Sequence, residues 1–185
     1  MKFRTVVLAL VAFCFVASLF AEEAAAPKTQ IAGAGQYGAV TLDAIEGSGL
    51  VKLNGTSVLN NLHLTGSLVA QNAVIGSLDI MGEANLTETT VKNGGSIMGS
   101  LQAVRSIFLE NIKILSQKAV FTSCRLEGIT VQQDRSFKGK QIVELKQGTI
   151  INGPVHFESG KGEVIVFPGC QVLGVVTGGK IVKKS

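Results

Sequence analysis

Aliphatic residues along most of this chain alternate with polar ones or run apolar for three or four positions, and Gly, Asn, Ser or Thr intervenes between most of these runs. Leu62, Leu68, Val74, Ile80 and Leu86 stand six apart, while Val104, Leu109, Ile114 and Ala119 stand five apart, as do Phe121, Leu126 and Val131. A helix needs apolar positions at mixed three-and-four spacing, and only the stretch around Ser106 to Lys118 carries it briefly. Antiparallel hairpins need about 8–12 residues per strand and turn, so steps of five or six are too short for them. They suit a β-solenoid, in which each side of a coil is a two- or three-residue strand with one inward aliphatic. Corners of one or two residues select Gly, Asn and Ser, which tolerate tight backbone conformations.

The expected fold is therefore all-β, a single-stranded parallel β-helix whose inward residues stack on their equivalents about 4.8 Å away. At about 17–20 residues per coil, residues 40–182 make about seven or eight rungs, a rod about 35 Å long. A β-sandwich is the competing fold, and the chain lacks its longer strands. Gly66-Ser67-Leu68, Gly76-Ser77-Leu78 and Gly99-Ser100-Leu101 read as corners followed by inward leucines, with an imperfect phase. Residues 153–169, GPVHFESGKGEVIVFPG, read as a hairpin-like or corner excursion around Gly160-Lys161-Gly162.

The ends follow different rules. Lys2 and Arg4 precede an apolar run from Val6 to Phe20, the pattern of a signal peptide over residues 1–21 with Ala21 at the cut; an uncleaved anchor is the rival reading. Residues 22–39 are expected to be a flexible linker and residues 183–185 a basic tail, with Lys180, Lys183 and Lys184 blunting the last exposed strand. The leader implies an exported protein of the periplasm, the outer envelope or the medium, touching a membrane only through that segment if it stays uncleaved.

Composition sharpens this picture. The chain is 46% hydrophobic but 5% aromatic, with no Trp and 22 Gly, a mixture suited to short strands and tight turns. Its formal charge of +4 shrinks to +2 without the leader, and what remains is uneven. Residues 22–104 carry 3 basic and 7 acidic groups, and residues 105–185 carry 12 and 6. The basic half suits an anionic surface, a neighbouring copy's acidic half, or plain solvent. Cys124 and Cys170 either pair, as an oxidising compartment permits, or stay as two thiols. Cysteine pairs at zinc-site spacing do not occur in the sequence.

Candidate chemistry is sparse. Gly33-Ala34-Gly35-Gln36-Tyr37-Gly38 matches the dinucleotide fingerprint in form, but Val40-Thr41-Leu42 follows it as a strand where a helix is needed. Gly160-Lys161-Gly162 lacks the spacing and the Ser or Thr of a phosphate loop. His63 and His156 are the general-base candidates, both flanked by apolar residues that point them outward, and no acidic residue stands close to His63 in sequence to orient its ring. Asp43, Asp79 and Asp134 are widely spaced, and Glu158 and Glu163 are expected to form an ion pair with Lys161. Asn54 and Asn85 open glycosylation sequons, informative in a eukaryotic source. No cofactor and no nucleic-acid partner is expected, since no basic patch interleaves with aromatics.

Dense short strands such as those of TGSLVAQNAVIGSL, residues 65–78, with Gly-x-aliphatic corners, resemble bactofilins, polymer-forming β-helix proteins of bacteria. The resemblance covers roughly residues 45–182 and implies a right-handed rod with short tails that assembles end to end without nucleotide; the leader departs from the family's cytoplasmic placement. EANLTETTVKNG, residues 83–94, is similar to pentapeptide repeats, and VAQNAVIGSLDIMGEANL, residues 69–86, to hexapeptide repeats. The functional expectation is an exported, non-catalytic β-solenoid that is structural, displays a surface or self-assembles, with itself or an envelope partner as its ligand. The alternatives are a small carbohydrate-active or acyl-transfer enzyme using His63 or His156, and a monomeric adhesin or envelope-complex subunit.

Overall fold

The computed structural model describes residues 28–185; the signal segment 1–21 and residues 22–27 of the expected linker lie outside the described residues. From Lys28 the chain winds into a parallel β-solenoid of about nine turns, with no helix among the described residues. Three columns of inward residues build it. One stacks Ile31, Gly47, Leu64, Ile80, Ile97, Ile114, Val131 and Phe157. The second stacks Leu53, Ala70, Leu86, Ala103, Phe121, Leu145 and Val166. Leu42, Val58, Ile75, Val91, Phe108, Leu126 and Ile151 form the third.

Partners between Ile31 and Val131 stand 16 or 17 positions apart, then Val131 pairs with Phe157 across a longer turn. The early turns sit at the short end of the expected length and the later ones exceed it; the additional turn comes from strand Lys28–Tyr37, which joins the fold by pairing with Ala44–Asn54. The segment read as linker is thus a strand from Lys28 to Tyr37. At the other end Lys183 closes the strand Gly179–Lys183 and the Lys184 N–H donates to the Val166 carbonyl, so the basic tail is largely part of the last turn.

Each of the first two sides buries two residues, not one: Leu62 with Leu64, then Leu68 with Ala70. Strand alternation has period two and restarts at every corner, so no constant step can follow it. Val74, Val104 and Leu109 consequently lie outside the core, and their neighbours Ile75, Ala103 and Phe108 are buried in it. The brief helical spacing near Ser106 is overridden the same way. Ile107–Leu115 is a strand held by parallel neighbours on both sides. Val155–Phe157 and Gly162–Val166 do not pair with each other as a hairpin; each pairs in parallel with the turns before and after it. Small and large residues alternate across the core, and Phe108 meets Phe121 edge to face at 5.9 Å beside Ala103 and Ala119.

One corner is a stack of glycines, with Gly33, Gly49, Gly66, Gly82 and Gly99 in register and φ between +106° and +141°. A Cβ on Gly66 would lie 2.0 Å from the Gly49 carbonyl oxygen. The turns close in because nothing projects between them. Gly66-Ser67-Leu68 and Gly99-Ser100-Leu101 occupy this corner, whereas Gly76-Ser77-Leu78 turns a different one against Leu59 and Asn60. Two corners sharing one local grammar account for the imperfect phase, and Leu68, Leu78 and Leu101 are all buried.

Candidate functional site

The outward side of the first column carries an unbroken line of polar residues: Glu46, His63, Asp79, Ser96, Lys113, Thr130, His156 and Thr177. Consecutive turns place them over one another, so groups 16 to 26 residues apart become neighbours. His63 Nδ1 lies 2.9 Å from Asp79 Oδ2, with the two side chains 40% and 45% exposed. The orienting carboxylate that His63 lacks in sequence is therefore supplied by the next turn. Beside it lies a depression of about 330 Å³ lined by Ala44, Ile45, Glu46, Asn61 and His63. Below it, the Ser77 hydroxyl donates to Asn61 Oδ1 at 3.1 Å.

An imidazole fixed through Nδ1 presents Nε2 for proton transfer, the first requirement of a general base. Nothing local forces this arrangement. His63 and Asp79 are each the outward residue between two buried aliphatics, Leu62 and Leu64, then Leu78 and Ile80. The signal in the sequence is the distance between them, visible once the length of a turn is known. His156 shares the line but finds the Thr177 hydroxyl at 2.7 Å instead of a carboxylate.

The remaining candidates are dispersed. Gly33 to Tyr37 lies within strand Lys28–Tyr37, with no helix N-terminus to receive a pyrophosphate. Glu158 and Glu163 do not share Lys161: Glu158 Oε2 accepts from the Gln133 N–H, and Glu163 Oε1 lies 2.7 Å from Lys140 Nζ and 3.5 Å from Lys180 Nζ. Among the described residues no group of three or more His, Cys, Asp and Glu is arranged to hold a metal ion. Glu144, with its side chain 12% exposed, sits between Lys118 Nζ at 2.8 Å and Lys146 Nζ at 3.1 Å. Burial works against its charged form, but the two ammonium groups outweigh it and hold the carboxyl below the usual carboxylate range.

Cys124 and Cys170 are both free thiols, the first buried and the second half-buried. Cys124 belongs to a second corner, where Gly55, Asn72, Glu88, Arg105, Ser123 and Gln147 all have φ between +48° and +70°. Just inside this corner lie Thr56, Ala73, Thr89, Ser106, Cys124 and Thr149, all buried. Their side chains knit the turns together. The Thr89 N–H donates to Ser106 Oγ at 3.2 Å, the Ser106 N–H to Cys124 Sγ at 3.5 Å, and the Cys124 N–H to Thr149 Oγ1 at 3.2 Å. The thiol lies 3.3 Å from the Ala103 and Thr122 carbonyls. Burial pushes its pKa up, partly offset by the Ser106 and Thr122 backbone contacts. A raised pKa in a closed corner makes Cys124 a hydroxyl substitute in a structural ladder, not a nucleophile.

Comparison with known protein families, with curated proteins and with solved structures finds no match to this chain.

Proposed function

We propose that the chain is an exported, non-catalytic structural protein of the cell envelope, whose solenoid presents a polar surface or assembles end to end with its own copies. The last turn carries this reading. Its strands Gln171–Val172, Val176–Thr177 and Gly179–Lys183 pair with the preceding turn, and no strand among the described residues pairs with their other side. The Gly162 N–H donates to the Gly178 carbonyl and the Lys184 N–H to Val166. Alternation along a parallel ladder therefore turns the N–H and C=O groups of Gly179, Ile181 and Lys183 to the open side. Leu173, Val175 and Ile181, all in this last turn, are 65%, 70% and 44% exposed.

An unpaired edge with an apolar rim is a template for another strand, and a terminal turn of a second copy matches its three-sided outline. The bactofilin resemblance supports the same reading, because those proteins assemble end to end without nucleotide. Electron microscopy and light scattering on the purified protein test it. Elongated particles or dimers are expected, and monomers from Val175→Lys and Ile181→Asp variants. A monodisperse wild-type monomer at high concentration overturns assembly and favours an adhesin or a subunit of an envelope complex.

The His63–Asp79 pair supports a second reading, a small carbohydrate-active or acyl-transfer enzyme with His63 as base. A discrete trimer with an inter-subunit cleft around His63, and an activity that His63→Gln abolishes, would replace the structural reading with it.

A further inference from the structure

Gly160-Lys161-Gly162 fails as a phosphate loop in sequence, but the fold surrounds it with charge from two other segments. A cavity of about 550 Å³ is lined by Lys140, Lys161 and Lys180, together with Glu163 and the glycines at 160, 162, 178 and 179. Lys140 comes from the excursion in the longest turn, Lys161 from a corner, and Lys180 from the final strand. Glu163 Oε1 draws Lys140 Nζ to 2.7 Å and Lys180 Nζ to 3.5 Å, so one carboxylate holds two ammonium groups side by side. Both lysine side chains remain more than half exposed, at 62% and 67%.

Three ammonium groups against one carboxylate leave two uncompensated positive charges in the cavity. Its glycines keep side chains from covering the backbone, and Gly179 is one of the residues whose N–H faces the open side of the ladder. We propose that this cavity binds a dianionic phosphoryl group, with Lys140, Lys161 and Lys180 supplying the charge and the Gly179 N–H a directed hydrogen bond. A dianion matches the excess charge better than a single carboxylate does. Ligand sites commonly span about 300–1,000 Å³, so the volume also admits an organic part of sugar size. The site stands apart from the His63–Asp79 pair and does not need end-to-end assembly, but a second copy paired on the last strand would compete with phosphate for the Gly179 N–H.

Calorimetry at low ionic strength with inorganic phosphate, glucose 1-phosphate, glucose and acetate tests the proposal, with amide shifts of the four glycines as a second readout. Both phosphates should bind saturably, more weakly as salt is added, and glucose alone should not. Lys161→Ala should weaken binding about threefold, the range of one exposed ion pair. Combining it with Lys140→Ala and Lys180→Ala should weaken binding at least tenfold. Glu163→Gln should strengthen it, because the competing carboxylate is gone. All three lysines are exposed, so circular dichroism should report an unchanged fold. The site is overturned if neither phosphate saturates, if Lys92→Ala on the far turns costs as much as the triple variant, or if Glu163→Gln weakens binding. Acetate binding as tightly as phosphate overturns the dianion assignment.

Discussion

Replacing Gly66 by alanine tests the central claim about the fold, that turns stack this closely because one corner is glycine throughout. Gly66 has φ +141°, and an added Cβ would stand 2.0 Å from the Gly49 carbonyl oxygen. Real Cβ atoms essentially never come within 3.0 Å of another heavy atom, so the corner must open by about 1 Å. The backbone conformation alone costs an L-residue about 1–3 kcal/mol. Displacing the Gly49 carbonyl weakens at least one inter-turn hydrogen bond, about 1 kcal/mol more. The expected loss is therefore about 3 kcal/mol, a large part of the 5–15 kcal/mol typical of a domain.

Gly148→Ala is the matched control. Its φ is +76°, but nothing lies within 4 Å of the added carbon, so the strain of the left-handed region, about 1 kcal/mol, stands alone. Urea unfolding followed by far-ultraviolet circular dichroism measures both. A Gly66→Ala variant within 1 kcal/mol of Gly148→Ala would refute the argument, because close approach would then contribute nothing beyond backbone strain.

Three further outcomes follow from the same packing. Cys124→Val should cost about 1–3 kcal/mol in urea unfolding by leaving the buried Ser106 N–H without its partner, while Cys124→Ser should cost less than half as much; equal losses would remove the ladder role. Glu144 has a lowered pKa in the folded state, so its contribution is complete at neutral pH and fades as pH falls through the carboxylate range. Glu144→Gln should lose about 1 kcal/mol at pH 7, and the difference from the wild type should shrink as pH falls below the ordinary Glu value of about 4.3; a difference constant from pH 3 to 7 contradicts this. If last turns meet one another, Lys180, Lys183 and Lys184 repel their counterparts, so light scattering should show association rising from about 0.05 to 0.5 M salt; dissociation over that range would point to attraction between opposite charges instead.

Much of the fold is legible in local pattern. Buried Leu68, Leu78 and Leu101 after their Gly-Ser corners, and the lack of any sustained helical spacing, are properties of a few adjacent residues. They were enough to read a parallel coil of short strands. The constant step of five or six was the weaker guide, since it placed Val74, Val104 and Leu109 in the core beside the residues that occupy it. Alternation restarts at each corner, and corners differ in length, so a single period cannot carry the count around the coil.

The candidate sites were not legible, because each consists of residues on different turns. His63 acquires Asp79, and Lys161 acquires Lys140 and Lys180, through stacking that depends on the length of every intervening corner. Cys124 likewise has the sequence context of any buried thiol until Thr89, Ser106 and Thr149 are stacked around it. The sequence by itself determined the kind of coil, through the inward aliphatics and the residues that can turn a corner. Tertiary structure decided the register of one turn on the next, and with it every outward neighbour, because side chains about 4.8 Å apart across a ladder can be 16 to 26 residues apart along the chain.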